Sequence, residues 1–410
     1  MIKKNVVKYW KVWTALVVSI AILLVSFFSD TINRRITNDI EAGAKIVLAV
    51  DSTEYGEALV ALWDTTYPQF RGVVDYKVVG DYLDMSVDII YGRLDEVYEV
   101  QDQLLSFSET YTSHESNKDY YLQVDEKIVF HPVYYDGLVF VYNETMLKEL
   151  GIDTLDADGD GLPETIDTFE ELFLLCEAWG RSISIYHEKP LSSVFPIYFA
   201  DLWSFYPFLT VGGWSLQEGE NLGYDEESFL ATVEFLYELG NYRWVYGEKT
   251  WNYETVIREE SAPFSMVGDW MLYEVNASEI RYARFPSYQG VQLKPLVYIY
   301  GYSINGNTSY PIAAQKVIDL LGSSEGIQLA VDYGNHVAVI PKEIYSRIQI
   351  DSNNMIDWIE AYRYSQVVYK AQVLKEYYES ELIELFEKVF NHTIMPTEAT
   401  EQIYKEMETE

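Results

Sequence analysis

Asp136 is the only charged residue in an otherwise apolar and aromatic run, Val133 to Tyr142, where the chain reads VYYDGLVFVY. A strand of this composition is buried, and an ionised carboxylate is costly there unless something pairs with it. Asp136 is therefore either satisfied within the protein or held for a ligand at an opening between two bodies. A neutral polyol would suit such an opening: its hydroxyls seek carboxylates and amides in the plane of the ring, and its C–H faces stack on aromatics. The sequence carries 36 tyrosines and 10 tryptophans, more than a core of this size needs, and both types join a flat apolar face to a polar edge.

A second constellation spans Asp156 to Asp167, DADGDGLPETID. Acidic side chains at loop positions 1, 3 and 5, glycine at 6 and a carboxylate at 12 match an EF-hand-type calcium loop. Asp156, Asp158, Asp160, the Leu162 carbonyl, Glu164 and Asp167 are the candidate ligands. Asp167 stands where such loops carry glutamate, so its bidentate reach is shorter. The ion would be structural; no catalytic cofactor is expected. The five histidines are scattered without zinc-ligand spacing, and the single cysteine, Cys176, lies in the apolar stretch LFLLCEAW, which predicts a buried thiol.

Alternating strands and helices must position these groups. Lys45–Asp51 and Val73–Val79 read as strands, with a helix over Gly56–Thr65 between them. Ser86–Tyr91 reads as a further strand, followed by a helix over Leu94–Leu105. This alternation predicts an α/β lobe with a largely parallel sheet. Asp51, Tyr91 and Arg93 fall at the carboxyl edge of its strands, where open α/β sheets present ligand groups. Arg93 offers a fork of donors for ring hydroxyls or for balancing Asp136. After the Val133–Tyr142 strand a short helix covers Glu144–Leu150. Helices then dominate, over 168–180, 226–241, 251–260 and 353–389, with β-like stretches at Pro295–Ile304 and Val337–Ile340. Tyr298 and Tyr300 alternate to one face of the first of these. The chain is expected to cross between two lobes near 133–138, 297–303 and 335–341. This assigns 45–134 and 301–336 to the first lobe, and 139–296 and 341–410 to a helix-rich second.

Residues 1–44 look separate. Lys3, Lys4, Lys8 and Lys11 precede an uncharged run, Val12–Ser29, whose 18 residues reach about 27 Å as a helix, near the thickness of a bilayer core. The leading lysines orient it with its N-terminus inside, so the remainder is exported. An uncleaved membrane anchor is expected; cleavage as a signal peptide and secretion is the alternative. Residues 45–410 carry 23 Lys/Arg against 62 Asp/Glu, which argues against nucleic acid or anionic lipid as a partner and allows neutral or cationic ligands.

Several short stretches, in matching order, resemble the extracellular solute-binding subunits of ABC importers, in particular their maltose/maltodextrin-binding group. Pro132–Asn143 is similar to the family's crossover strand, P-x-x-x-[DE]-x-[LI]-x-[LI]-x-YN. Thr168-Phe169-Glu170-Glu171-Leu172 is similar to T-[WF]-x-E-[LI], and Thr168 and Glu171 also form a capping box. Phe264–Trp270 (FSMVGDW) resembles a strand-turn whose Trp lines the ligand cleft in the family. Gly301–Asn305, Pro311–Ala314, Leu320–Gly326 and Asn335–Pro341 resemble the segments returning through the first lobe. The resemblance implies an α/β, two-lobe periplasmic-binding-protein-like fold of type II with hinge crossovers, here preceded by the N-terminal helix. It implies a sugar, maltodextrin-like, held between the lobes and passed to ABC permease transmembrane subunits. Asp136 matches the acidic crossover position and Trp270 the stacking one. Glu188, Trp203 and Trp214 fall near the family's second-lobe Glu and Tyr ligand positions. In place of a C-terminal stacking Trp the chain offers Tyr377, Tyr378 or Leu382. A sugar-sensing ectodomain is an alternative. A glycoside hydrolase is a weaker one, since nothing marks a second carboxylate at a defined distance from Asp136, and the helix-rich lobe lacks barrel-like strand repetition.

Overall fold

The computed structural model describes residues 40–407, apart from 81–82, 183–184, 192, 198–201, 216, 219–220, 223–224, 243–252, 272–278, 351–352, 371, 374 and 377–380. The expected membrane helix, Val12–Ser29, lies outside the described residues, as do Tyr377 and Tyr378. Among the described residues no helix is long and apolar enough to cross a membrane.

The first lobe begins with β1 (Ile46–Val50), α1 (Thr53–Thr66), β2 (Val74–Val78), β3 (Ile89–Arg93) and α2 (Leu94–Glu99). Ser52 caps α1 by accepting from the Tyr55 amide at 3.3 Å. β2, β1 and β3 are parallel, as the alternation implied. The helix expected over Leu94–Leu105 stops at Glu99; a 3-10 turn and a two-residue bridge, Leu104–Leu105, complete the segment.

The longest strand, β4 (His131–Asn143), joins the lobes. At about 3.3 Å per residue it spans roughly 40 Å. It leads into α3 (Glu144–Glu149). The second lobe follows with α4 (Phe169–Ser182), α5 (Leu202–Leu209), α6 (Glu226–Leu239), β5 (Phe264–Gly268) and β6 (Ile280–Ala283). The capping box forms at the start of α4: the Glu171 amide donates to Thr168 Oγ1 at 3.2 Å, and the Thr168 amide to Glu171 Oε2 at 2.9 Å. β7 (Leu296–Asn305) then returns to the first lobe, followed by α7 (Pro311–Leu321), α8 (Ser324–Tyr333), β8 (Val337–Ala338), α9 (Asn353–Tyr362), β9 (Gln366–Val367), α10 (Leu382–Phe390) and α11 (Pro396–Met407).

The main sheet runs β5-β4-β7-β3-β1-β2. The first half of β4 pairs antiparallel with β7 and β8, and its second half pairs with β5 and β6. One continuous strand thus serves both lobes. The first lobe is parallel only over β2-β1-β3, because β7 enters antiparallel to β3. Gly137 marks the changeover. A Cβ there would lie 2.8 Å from the Leu296 carbonyl oxygen and 3.1 Å from Val297 Cα, so β4 and β7 cross this closely only because the residue is glycine.

Two apolar cores result. One holds Leu48, Ile89, Tyr302 and Ile318; the other holds Phe140, Phe169, Leu236 and Phe386. Cys176 is buried in the second, as expected. Residues Ile344, Trp358 and Tyr362 pack with the first core, and the second is rejoined at Val368. The sequence-based border at 341 is therefore too early. The single helix expected over 353–389 is also divided. Arg363 ends α9, its guanidinium donating to the carbonyls of Ile340 at 2.7 Å and Ser116 at 3.0 Å. The chain then pairs with β7 at Gln366 and Val367. Tertiary pairing overrides the helical pattern here. Leu382, the remaining C-terminal stacking candidate, is buried in the second core and presents no face to a ligand.

Candidate functional site

Charged and aromatic groups from both lobes gather where β4 and β7 cross. Asp51 follows β1, and both its carboxyl oxygens are buried without a partner in good hydrogen-bonding geometry. Burial pushes its carboxyl up, opposed by the charge of His336. Arg93 closes β3 and forks onto Asp95, Nε to Oδ1 at 3.1 Å and Nη2 to Oδ2 at 2.9 Å. Asp95 is fully buried, so this guanidinium is committed to a partner that needs it. That fork leaves Arg93 to act on Asp136 through its charge alone, which lowers the Asp136 carboxyl. Arg93 also lies over the Tyr298 ring, 4.0 Å from its centroid. Tyr298 stacks in turn on Trp203 of α5, centroids 4.8 Å apart at 21°. Arg93, Tyr298 and Trp203 thus form a layered bridge from one lobe to the other.

A second group assembles from three distant segments. Asp136 on β4 stands across from Tyr298 of β7. Asp269, fully buried just after β5, accepts a 2.5 Å hydrogen bond from His336 Nδ1. His336 immediately precedes β8 and stacks on Tyr300, centroids 5.3 Å apart at 16°. Tyr300 stacks on Tyr91 at 5.6 Å and 20°. Burial and the neighbouring Asp269 hold the Asp136 carboxyl up to about 7, while His336 and Arg93 pull it the other way. Burial alone would lower the His336 imidazole. Its hydrogen bond to Asp269, together with the charges of Asp269, Asp136 and Asp51, outweighs burial and raises it. One imidazolium therefore serves three carboxyl groups.

Trp270 follows Asp269 on a single 3-10 turn, Asp269–Met271, and is 52% exposed. Its ring lies against Gly268, where a Cβ would come within 2.2 Å of the indole. Any larger residue at 268 would displace the ring.

The structure thus gathers Asp51, Tyr91, Arg93, Asp136, Tyr298, Tyr300 and Trp203, with Trp270 adjoining. Trp214 is buried beside Tyr206 and lines a different groove, of about 470 Å³, with Tyr120, Lys294, Arg363 and Gln366. None of the Asp136 group lines that groove. Glu188 is exposed at the tip of a hairpin, in a left-handed conformation (φ 66°). The adjacent His187 bonds Glu149 at the end of α3. Neither of these two candidates stands in the Asp136 group: local sequence spacing could not show which way their segments turn. Asp95, Asp269 and His336 carry no local sequence signal of a site. Asp269 and His336 lie inside the stretches FSMVGDW and NHVAVIP, but they meet only through strand crossing, 67 residues apart in sequence.

In the 156–167 loop, the carboxylates of Asp156, Asp158 and Asp160 offer ligand atoms within 4.8 Å of one another. Asp156 accepts from the amides of Gly159 (2.7 Å) and Gly161 (3.0 Å), and Gly161 takes the positive φ of 96° that the sharp turn requires. Leu162 is buried and anchors the loop, and Glu164 Oε1 accepts from the Ala157 amide at 3.2 Å. The Arg284 guanidinium bridges Asp160 and Asp167. The donor set suits a hard cation, with this arginine as its competitor for Asp160 and Asp167.

The family described as bacterial extracellular solute-binding protein matches residues 31–343. No curated protein matches the sequence. Among solved structures, the chain is similar to maltose-binding periplasmic protein MalE of Listeria monocytogenes, determined with maltose, at TM-score 0.63 and 16% identity, covering 89% of this chain and 97% of that one. It is also similar to the GacH receptor of Streptomyces glaucescens, determined unliganded and with acarbose, at TM-score 0.60 and 13% identity, covering 89% and 98%. At these identities the likeness is one of fold.

Proposed function

Because this chain belongs to the bacterial extracellular solute-binding proteins, which bind rather than catalyse, we propose that it captures a carbohydrate between its lobes for a membrane permease. The supporting observation is the meeting of carboxyl groups and aromatic faces from both lobes at the β4–β7 crossing. Asp136, at the hinge line, would accept from ring hydroxyls, and the half-exposed Trp270 would stack on a pyranose face. Asp51, Tyr91, Tyr298, Tyr300 and Trp203 would complete the walls. Closure of the lobes on the sugar would be the signal read by the transmembrane subunits. The N-terminal run Val12–Ser29 would tether the protein at the outer membrane face.

In the same reading the 156–167 loop holds a structural Ca²⁺ through Asp156, Asp158, Asp160, the Leu162 carbonyl, Glu164 and Asp167. Arg284 would then release Asp160 and Asp167. A thermal-shift screen against an oligosaccharide panel tests the main proposal. At least one sugar is expected to raise the melting temperature in a concentration-dependent way. A panel of varied length and linkage that gives no shift, alongside a clear response to amino acids or peptides, would contradict it.

A further inference from the structure

We propose that the Asp269–His336 hydrogen bond is a proton-dependent clasp between the lobes, so that closure takes up protons and the closed form is favoured in mildly acidic medium. This holds whichever solute the cleft takes. The strand register carries the argument. β8 and β5 both lie along β4, on opposite sides of the changeover at Gly137. In the first-lobe half, β8 pairs Val337 with Tyr135 and Ala338 with Tyr134. In the second-lobe half, β5 pairs Gly268 with Leu138 and Phe264 with Tyr142. Continuing each register by one residue brings His336 level with Asp136 and Asp269 level with Gly137. The two residues thus hang from different lobes and meet at the point where β4 would bend, joined by the 2.5 Å hydrogen bond. Stacking on Tyr300, centroids 5.3 Å apart, fixes the imidazole to the first-lobe side. Opening the lobes about this point draws the pair apart.

The surrounding charges set the direction. His336 is faced by Asp269, by Asp136 of β4, by Asp51 after β1, and by the rings of Tyr134 and Tyr300. Asp136 is itself hydrogen-bonded to Asp269 and feels the charge of Arg93, which stays positive throughout. Burial pushes the hydroxyls of Tyr91, Tyr134 and Tyr362 up, and that of Tyr298 to about 12, so they stay neutral below pH 9. The groups left to titrate are Asp136, Asp51 and His336, and all three are raised. One imidazolium cannot balance three carboxylates held this close, so the closed lobes keep a proton on Asp136, at about 7, where it donates to Asp269. Opening admits water and returns Asp136 toward about 3.9. The closed form therefore binds more protons, and its advantage fades as pH climbs through 7. The His336 side chain is 26% exposed, which gives those protons a path from solvent.

The test is single-molecule energy transfer on the full-length, ligand-free protein in a polyoxyethylene detergent, which carries no sugar. Dyes are placed on Glu57→Cys in α1 and Glu234→Cys in α6, both exposed positions, while the buried Cys176 stays unlabelled. Between pH 8.5 and 6 the ratio of closed to open molecules is expected to rise about tenfold, the change that a carboxyl moving from about 3.9 to about 7 imposes. Asp136→Asn keeps an N–H donor toward Asp269 without a titrating proton, so its ratio should stay near the wild-type pH 6 value at both pH values. His336→Gln keeps a donor but removes the charge, and should be open at pH 6 as well. The opposite signs of the two variants separate a clasp from a merely structural role, which would open both alike. The wild-type series needs no variant to fold. A wild-type ratio that does not change with pH overturns the proposal. So does an Asp136→Asn ratio that varies as wild type does, or a His336→Gln ratio equal to wild type at pH 6.

Discussion

Asp136 stands directly opposite Tyr298 on the two antiparallel strands that carry the chain between the lobes. Each belongs to a different layer of the site. Asp136 faces Asp269 and His336, and Tyr298 is sandwiched between Arg93 and Trp203. In the proposed reading, the acid that would hold a ligand is built into the strand about which the lobes would move, which would join binding to closure mechanically.

The crossing itself depends on Gly137. Gly137→Ala would drive a methyl group to 2.8 Å from the Leu296 carbonyl. Overpacking of this kind costs about 1–3 kcal/mol, and the expected outcome is a lower melting temperature in scanning calorimetry. A wild-type melting curve would show that the two strands part easily.

Stability should fall as pH rises from about 6.5 to 8; below 6.5 the buried His131, whose imidazole burial lowers to about 4, works the other way. Asp136 is held up to about 7 when folded, against about 3.9 unfolded. Asp51 and His336 are raised as well. A raised folded value means that the native state binds the proton more tightly. The Asp136 contribution is full below about pH 4 and is lost as pH climbs through 7; the His336 contribution is full below about 6.5 and lost above its folded value. Asp136→Asn removes the largest of these shifts and should flatten the profile. A variant with the same slope as wild type would place the titrating groups elsewhere.

The acidic loop yields a crossed prediction. Asp158→Ala should lower the melting temperature in calcium and leave it unchanged in chelator. Arg284→Ala should do the reverse, because in chelator it leaves Asp160 and Asp167 uncompensated. Equal drops in both conditions for Asp158→Ala would mean that the loop holds no ion.

Trp270 separates binding from folding. Its side chain is 52% exposed, so Trp270→Ala should change the melting temperature of the ligand-free protein little. A large loss would make the indole a packing element instead.

Much of the fold was legible because period and punctuation agreed. β1, α1, β4 and β7 are all within a few residues of the strands and helices read from the sequence. Asp136 stood out for a physical reason, a carboxylate inside an apolar strand. The electrostatic centre was not legible. A lone histidine and an aspartate 67 residues away carry no pattern until β5 and β8 both pair with β4. Arg93 likewise read as a free donor, because the fully buried Asp95 two residues on looked like an ordinary acid in the first turn of a helix. The division of 353–389 arose from contacts of Arg363 and Gln366 with distant carbonyls, which no local pattern contains.

The most direct measurement is calorimetric titration of wild type, Asp136→Asn and Trp270→Ala with the oligosaccharide that stabilises the protein most. The account predicts that each variant binds at least tenfold more weakly, a loss of about 1.4 kcal/mol, with Trp270→Ala still melting as wild type does. Unchanged affinity in both variants would contradict it, since the sugar would then be held somewhere other than the crossing of β4 and β7.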